Sequence, residues 1–152
     1  MSINITLSPQ QIEECKTLAK EIHSSKKWGW KWENVLLGTL GEMAYGIHTS
    51  QPLNKLIYET TGDGGTDFPD GAQVKTVAWA GPSKEIKVSP TKKPLRNPPK
   101  KYILAHATHL DYSTVALIGE ISLESFEQKK EIKKYRGKET YIVTEYNLDK
   151  IY

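Results

Sequence analysis

Hydrophobic positions in the first third of the chain recur at helical spacing. Over residues 8–27 they fall every three or four residues, at Ile12, Cys15, Ala19 and Ile22, behind an S-x-x-Q capping box. A second, broader apolar stripe covers residues 32–45 and includes Leu36, Leu40 and Met43. These two patterns predict two amphipathic helices.

From residue 52 onward the hydrophobic pattern shortens to β-type runs separated by turn residues. The runs predict strands at residues 56–58, 72–79, 84–88, 102–108 and 114–121. A third helix is predicted over residues 123–135, followed by a last strand over residues 140–146. This order predicts an α+β fold with a central mixed or antiparallel sheet flanked by helices.

The composition is typical of one water-soluble domain spanning residues 1–152. The chain is 38% hydrophobic and 26% charged, and its best apolar runs, such as residues 115–118, are four residues long. We therefore expect a soluble, cytoplasmic protein without a membrane span or a signal peptide. With one cysteine, Cys15, and four scattered histidines, neither an internal disulfide nor a zinc site is expected.

Positive charge is concentrated in one tract of the chain. Residues 84–101 contain seven basic residues and one acidic residue, whereas the rest of the chain has a net charge of −3. Four prolines between residues 89 and 101 exclude a central strand or helix there and predict an exposed loop. A basic loop on an acidic body favours an anionic partner such as nucleic acid.

The residues with the clearest chemical potential lie between positions 62 and 76. The turn sequences GDGG at 62–65 and PDG at 69–71 flank Asp67, and a predicted strand follows. Side chains alternate along a strand, so Gln73 and Lys75 are expected on one face and Val74 on the other. A carboxylate, an amide and an amine are thus expected to converge where the chain reverses. Asp70 is interpreted as a turn former, and Asp63 is an alternative to Asp67.

This arrangement resembles the PD-(D/E)XK, or restriction-endonuclease-like, nuclease superfamily. The family signature is an acid, a short turn, and then acid-x-Lys on the next strand. Asp67 matches the first acid and Gln73-Val74-Lys75 the strand motif, with a glutamine variant at the second acid. Glu42 resembles the glutamate that the family often places on a preceding helix. The motif match covers residues 35–88.

The resemblance implies a metal-dependent DNA endonuclease that uses Mg²⁺ or Mn²⁺. It implies catalytic roles for Glu42, Asp67, Gln73 and Lys75, with metal ligated by Glu42, Asp67 and the main-chain carbonyl of Val74. It also implies a homing or restriction-like enzyme, with a Holliday-junction resolvase or a phage nuclease of the same fold as alternatives. Cutting both strands of a duplex with one site per chain favours a homodimer or higher oligomer.

Double-stranded DNA is the implied partner. The tryptophan-rich segment 28–32 is a further candidate for DNA contact. The candidate DNA-binding residues are five cations of the basic loop: Lys92, Lys93, Arg96, Lys100 and Lys101.

Two other classes of protein stay open. A non-catalytic nucleic-acid-binding module would explain Gln73, because a glutamine removes one anionic metal ligand. A small structural or inhibitor protein would use the basic loop to bind another protein. Glu42 and Lys75 also have a simpler interpretation as exposed helix and strand residues.

Overall fold

The structure is a computed structural model that describes residues 2–25, 31–53, 67–78, 81, 83–90 and 98–152. Three α-helices, seven strands and one short 3₁₀ helix lie in these ranges. In chain order they are β1 (Ile3–Thr6), α1 (Pro9–Ser25), α2 (Trp32–Thr49), β2 (Ala72–Val77), β3 (Glu85–Val88), β4 (Lys101–Thr108), β5 (Asp111–Ser122), α3 (Leu123–Lys129), β6 (Glu131–Tyr135), β7 (Lys138–Thr144) and the 3₁₀ helix Glu145–Asn147.

The strands form two sheets. The first has four strands in the order β1-β5-β4-β2, in which β2 runs parallel to β4 and the other pairs are antiparallel. Its first strand pairs far along the chain, with Ile3 opposite Leu117. The second sheet has three antiparallel strands in the order β3-β7-β6. Among the described residues, β2 is therefore an edge strand of the larger sheet.

Two hydrophobic clusters cover opposite faces of the four-stranded sheet. Helices α1 and α2 pack on one face, where Leu36 and Leu40 meet Val74 and Ile103. The three-stranded sheet and α3 pack on the other face, where Phe126 lies 4.8 Å from Tyr102 between ring centroids. Alternation along the strands explains this division, because neighbouring residues such as Tyr102 and Ile103 point to opposite sides.

The ends of the first two helices follow from local sequence. Ser8 Oγ accepts a hydrogen bond from the Gln11 amide at 3.1 Å, and Gln11 Oε1 accepts one from the Ser8 amide at 2.8 Å, which completes the predicted capping box. Helix α2 continues four residues past the predicted end to Thr49 and stops at Ser50, whose φ is 56°. Both predicted helices are confirmed.

Helix α2 approaches the sheet at Gly41 more closely than any larger residue would allow. A Cβ atom at this position would lie 1.9 Å from Thr76 Oγ1, 3.2 Å from Thr76 Cβ and 3.4 Å from Ala105 Cβ. The missing side chain lets the helix backbone rest directly on β2 and β4. This contact fixes the height of the neighbouring residue, Glu42, above the edge of the sheet.

The α+β class and the mixed and antiparallel pairing are confirmed, but several details differ. The third helix was predicted too long: it ends at Lys129, and residues Glu131–Tyr135 form β6 instead. The strands form two sheets, not one central sheet, and β1 was not predicted. The predicted strand at residues 56–58 lies outside the described residues. No helix in the described ranges is long and apolar enough to span a membrane.

Gly41→Ala is expected to lower the free energy of unfolding by roughly 1 to 3 kcal/mol, the usual cost of overpacking a tight interface. Urea unfolding of the purified protein measures this change. Gly38→Ala on the same helix is the matched control, because a Cβ at Gly38 meets nothing within 4 Å. That control should gain about 0.5 to 1 kcal/mol from helix propensity. Equal effects of the two substitutions would contradict the close contact.

Candidate active site

A tight turn delivers Asp67 to the beginning of β2. The amides of Asp67 and Phe68 both donate to the carbonyl of Ala72, at 2.9 and 3.2 Å, and the Gly71 amide donates to the Phe68 carbonyl at 3.0 Å. Gly71 adopts a φ of 85°, which favours glycine. Phe68 is buried and packs edge-on against Tyr45, with 5.2 Å between ring centroids. The core thus anchors the turn beside the strand.

The Asp67 carboxylate lies against the open edge of β2. Its Oδ2 atom accepts a hydrogen bond of 2.8 Å from the amide of Val74. The N–H and C=O groups of one strand residue point to the same side of the strand. The Val74 carbonyl therefore faces the same edge as Asp67. Asp67 and the Val74 carbonyl thus lie at the same edge of β2, and their membership of one site stays a prediction.

The structure brings Glu42 near Asp67. Burial of the Glu42 carboxyl raises its pKa well above the usual value, and the negative charge of Asp67 raises it further. Burial raises the pKa of the Cys15 thiol to about 12, and the negative charges of Glu14 and, to a smaller extent, Glu42 add to this effect. Glu42 is therefore not the exposed helix residue of the simpler interpretation.

Gln73 and Lys75 lie on β2, after the turn that carries Asp67, and both are partly buried. Ala72 and Val74 face helix α2, so by alternation Gln73 and Lys75 lie on the opposite face of the strand. This is the division that the sequence predicted. Glu42 lies on α2, on the helix side of the strand, so Glu42 and the pair Gln73 and Lys75 lie on different faces of β2.

Asp70, three residues from Asp67, belongs to a separate polar cluster. It accepts hydrogen bonds from Tyr45 Oη at 2.6 Å, Gln51 Nε2 at 3.1 Å and the Ala72 amide at 3.0 Å, and Lys101 Nζ lies 3.9 Å away. Partial burial opposes ionisation of Asp70, but these partners outweigh it and lower its pKa. The bond to the Ala72 amide confirms Asp70 as a turn former.

The end of the basic loop docks on the same turn. The amides of Lys100 and Lys101 donate to the carbonyl of Gly71, at 2.8 and 3.4 Å. Lys100 is exposed, whereas Lys101 is partly buried and pairs with Glu120 Oε2 at 3.4 Å as well as with Asp70. Part of the charge of Lys101 is thus already offset by carboxylates.

The other proposed DNA-binding residues, Lys92, Lys93 and Arg96, lie outside the described residues. So do Asp63 and most of the tryptophan-rich segment. Its last residue, Trp32, begins α2 and packs against the helix-side core.

Sequence reasoning missed the partners that surround the site. Tyr45 lies one helical turn after Gly41 and orients Asp70, and Gln51 follows the end of α2. Cys15 belongs to the apolar positions that predict the first helix, but its proximity to Glu42 was not predicted. No local pattern marks these residues, because each reaches the site only through the packing of α1 and α2 on the sheet.

The donor set suits a hard divalent cation. Two carboxylates, Glu42 and Asp67, approach each other beside a main-chain carbonyl, and their mutual repulsion is what a cation would relieve. The residues present therefore fit Mg²⁺ or Mn²⁺, which often bind through only one or two carboxylates. In the part of the chain that the structure describes, no group of three or more His, Cys, Asp or Glu residues is arranged to hold a metal.

Comparisons with protein-family models, with curated proteins and with solved structures return no match. The resemblance to the PD-(D/E)XK superfamily therefore rests on the residues of this chain.

Glu42→Gln is expected to stabilise the protein in the presence of EDTA, increasingly so as the pH rises. The folded state holds the Glu42 proton above pH 4.5, where the unfolded state releases it, so wild-type stability falls as the pH rises towards the raised folded pKa. One such group changes the free energy of unfolding by at most about 1.4 kcal/mol per pH unit. Urea unfolding between pH 5 and 9 measures the difference.

The matched control is Glu33→Gln, which changes an exposed glutamate on the same helix. It should leave the pH dependence of the wild type intact. Parallel stability curves for Glu42→Gln and the wild type would show that the Glu42 carboxyl is not destabilised in the folded protein.

Proposed function

We propose that this protein is a metal-dependent endonuclease that hydrolyses phosphodiester bonds of double-stranded DNA at the open edge of β2. The observation that carries the proposal is the approach of Glu42 to Asp67 where Asp67 binds the Val74 amide, one residue before Lys75. Two carboxylates close together at the edge of a strand that also carries a lysine cost free energy to desolvate, so packing alone does not explain them.

The electrostatics of the reaction explain why such a site is useful. The scissile phosphodiester is anionic, and its charge opposes a nucleophile, so the site must supply positive charge. Glu42, Asp67, the Val74 carbonyl and the side-chain oxygen of Gln73 would hold Mg²⁺ or Mn²⁺. A cation bound there would supply charge neutralisation and polarise the phosphate.

Lys75 would act on the attacking water and on the phosphate. From the adjacent position on β2 its ammonium group would orient the attacking water and offset the charge that develops on the phosphate. Gln73 cannot replace a carboxylate in charge, which leaves Glu42 and Asp67 as the two anionic groups of the proposed site. The raised pKa of Glu42 makes cation binding dependent on loss of its proton.

The basic loop supports DNA as the substrate. Lys100 is exposed and its main chain is bonded to the Gly71 carbonyl, in the turn that carries Asp67. A phosphate near Lys100 would therefore lie close to the proposed site. Lysines of this kind position the backbone and do not read bases. Lys92, Lys93 and Arg96 of the same loop would add contacts, and a homodimer would place one site on each strand.

A non-catalytic DNA-binding module is the second candidate. Two observations favour it: Gln73 occupies the position of the second acid, and the described residues contain no larger acidic cluster. Such a protein would bind DNA equally well with and without a divalent cation. The enzyme that we propose would cut DNA only with one. We expect a homing or restriction-like enzyme rather than a binding module.

Asp67→Asn and Lys75→Ala are each expected to reduce plasmid cleavage by at least about 100-fold, because each removes a charge that acts on the phosphate or its cation. Nicking and linearisation of supercoiled plasmid are followed on gels with Mg²⁺, with Mn²⁺ and with EDTA. A four-way junction and a genomic-DNA library widen the range of substrates.

Asp149→Asn and Lys20→Ala are the matched controls, since both residues are exposed and neither lies on β2. They should cleave as the wild type does. Full activity of either site variant, or cleavage that persists in EDTA, would overturn the proposal.

A further inference from the structure

The β6-β7 hairpin, which replaces part of the predicted third helix, has the geometry of a projecting ribbon. Tyr135 pairs with Lys138, so only Arg136 and Gly137 form the turn. Both have positive φ, 52° and 78°, as a type I′ turn requires. This turn matches the twist of the two strands and keeps the tip narrow.

The distal half of the hairpin extends beyond the rest of its sheet. Strand β3 pairs with β7 only from Tyr141 to Thr144. Residues 133–135 and 138–140 pair with each other, and the described residues provide no third strand there. Three cross-strand pairs at the rise of an antiparallel strand make a two-stranded ribbon about 10 Å long. The major groove of DNA is about 8.5 Å deep and admits such a ribbon.

The ribbon is strongly basic and exposed. Residues 133–139 contain four cations and one carboxylate, and every residue of β6 is exposed. Lys133, Tyr135 and Lys138 share the outer face of the ribbon, away from the core. Lys87 reaches the same face, with its Nζ atom 5.0 Å from the centroid of the Tyr135 ring. The outer face thus combines cations with an aromatic ring.

Protection of the sheet edge accounts for only part of this pattern. Lysines on an edge strand hinder pairing with other chains, which would explain Lys133 and Lys134. Edge protection does not explain Arg136. The first position of a type I′ turn favours asparagine, and most other residues lose free energy in the left-handed backbone conformation found there.

We propose that the β6-β7 hairpin binds double-stranded DNA by entering the major groove, with Lys133, Arg136 and Lys138 on the phosphates that border it. The negative charge of the duplex complements the ribbon, and the width of the groove fits two paired strands. The inference extends the proposed function by adding a second DNA contact. Its test does not depend on cleavage.

Arg136→Asn is the sharpest variant, because Asn-Gly is the preferred pair for a type I′ turn. The substitution removes the charge at the tip and should leave the hairpin folded, with a melting temperature equal to or above that of the wild type. Fluorescence anisotropy with a 20-base-pair duplex in EDTA, over a range of salt concentrations, measures the affinity. We expect the salt slope to fall by about 0.9 for the one lost phosphate contact, and the affinity to fall roughly 5- to 10-fold at 0.1 M salt.

The double variant Lys133→Gln/Lys138→Gln should lower the slope by about 1.8. Its control is Lys20→Gln/Lys150→Gln, which removes the same charge from two exposed lysines on other parts of the chain and should change the slope little. Hairpin variants that bind DNA as tightly as the wild type would overturn the inference, even if they also aggregate more readily. So would a wild-type protein that does not bind duplex DNA.

The two proposals fail in different ways. If Asp67→Asn cleaves normally while the hairpin variants lose affinity, only the proposed active site is wrong. If cleavage depends on Asp67 while the hairpin variants bind as the wild type does, only the hairpin contact is wrong.

Discussion

The contact between Gly41 on α2 and Thr76 on β2 determines how the proposed active site is arranged. Because the helix backbone lies directly on the strand, the residue after Gly41 is held at the edge of the sheet. The Glu42 carboxyl is consequently desolvated near Asp67. A larger residue at Gly41 would lift the helix, and the two carboxylates would separate. The close packing of α2 on β2 and the proposed pairing of Glu42 with Asp67 therefore depend on the same contact.

Two carboxylates close to one turn experience opposite environments. Asp70 receives hydrogen bonds from Tyr45, Gln51 and the Ala72 amide, which outweigh the effect of burial and lower its pKa. Glu42 is desolvated beside another anion, which raises its pKa. Divergent pKa values of neighbouring acids are typical of sites where the acids have different roles. Here Asp70 stabilises the turn, and Glu42 is the acid whose destabilised charge a cation or a proton must offset.

The sequence predicted the features that depend on residues close together in the chain. The capping box of Ser8 and Gln11, the turn at Asp70 and the alternation along β2 all follow from neighbouring residues. The helix predicted over residues 123–135 was partly wrong because Ile132 and Tyr135, which are three residues apart, also fit helical spacing. Gly137, between residues that alternate as strands do, was the signal that favoured a hairpin. The approach of Glu42 to Asp67 depends on how α2 packs on the sheet, which no short pattern specifies.

The pairing of β1 with β5 has a consequence for how the chain is made. Leu117, the partner of Ile3, is synthesised more than a hundred residues after it. At ordinary translation rates this delay is on the order of 10 s. During that time β1 has no sheet to join, and β2 also waits for β4. The four-stranded sheet, and with it the edge that carries Asp67, is therefore completed only after β5 has been synthesised, as expected for a sheet built from non-local contacts.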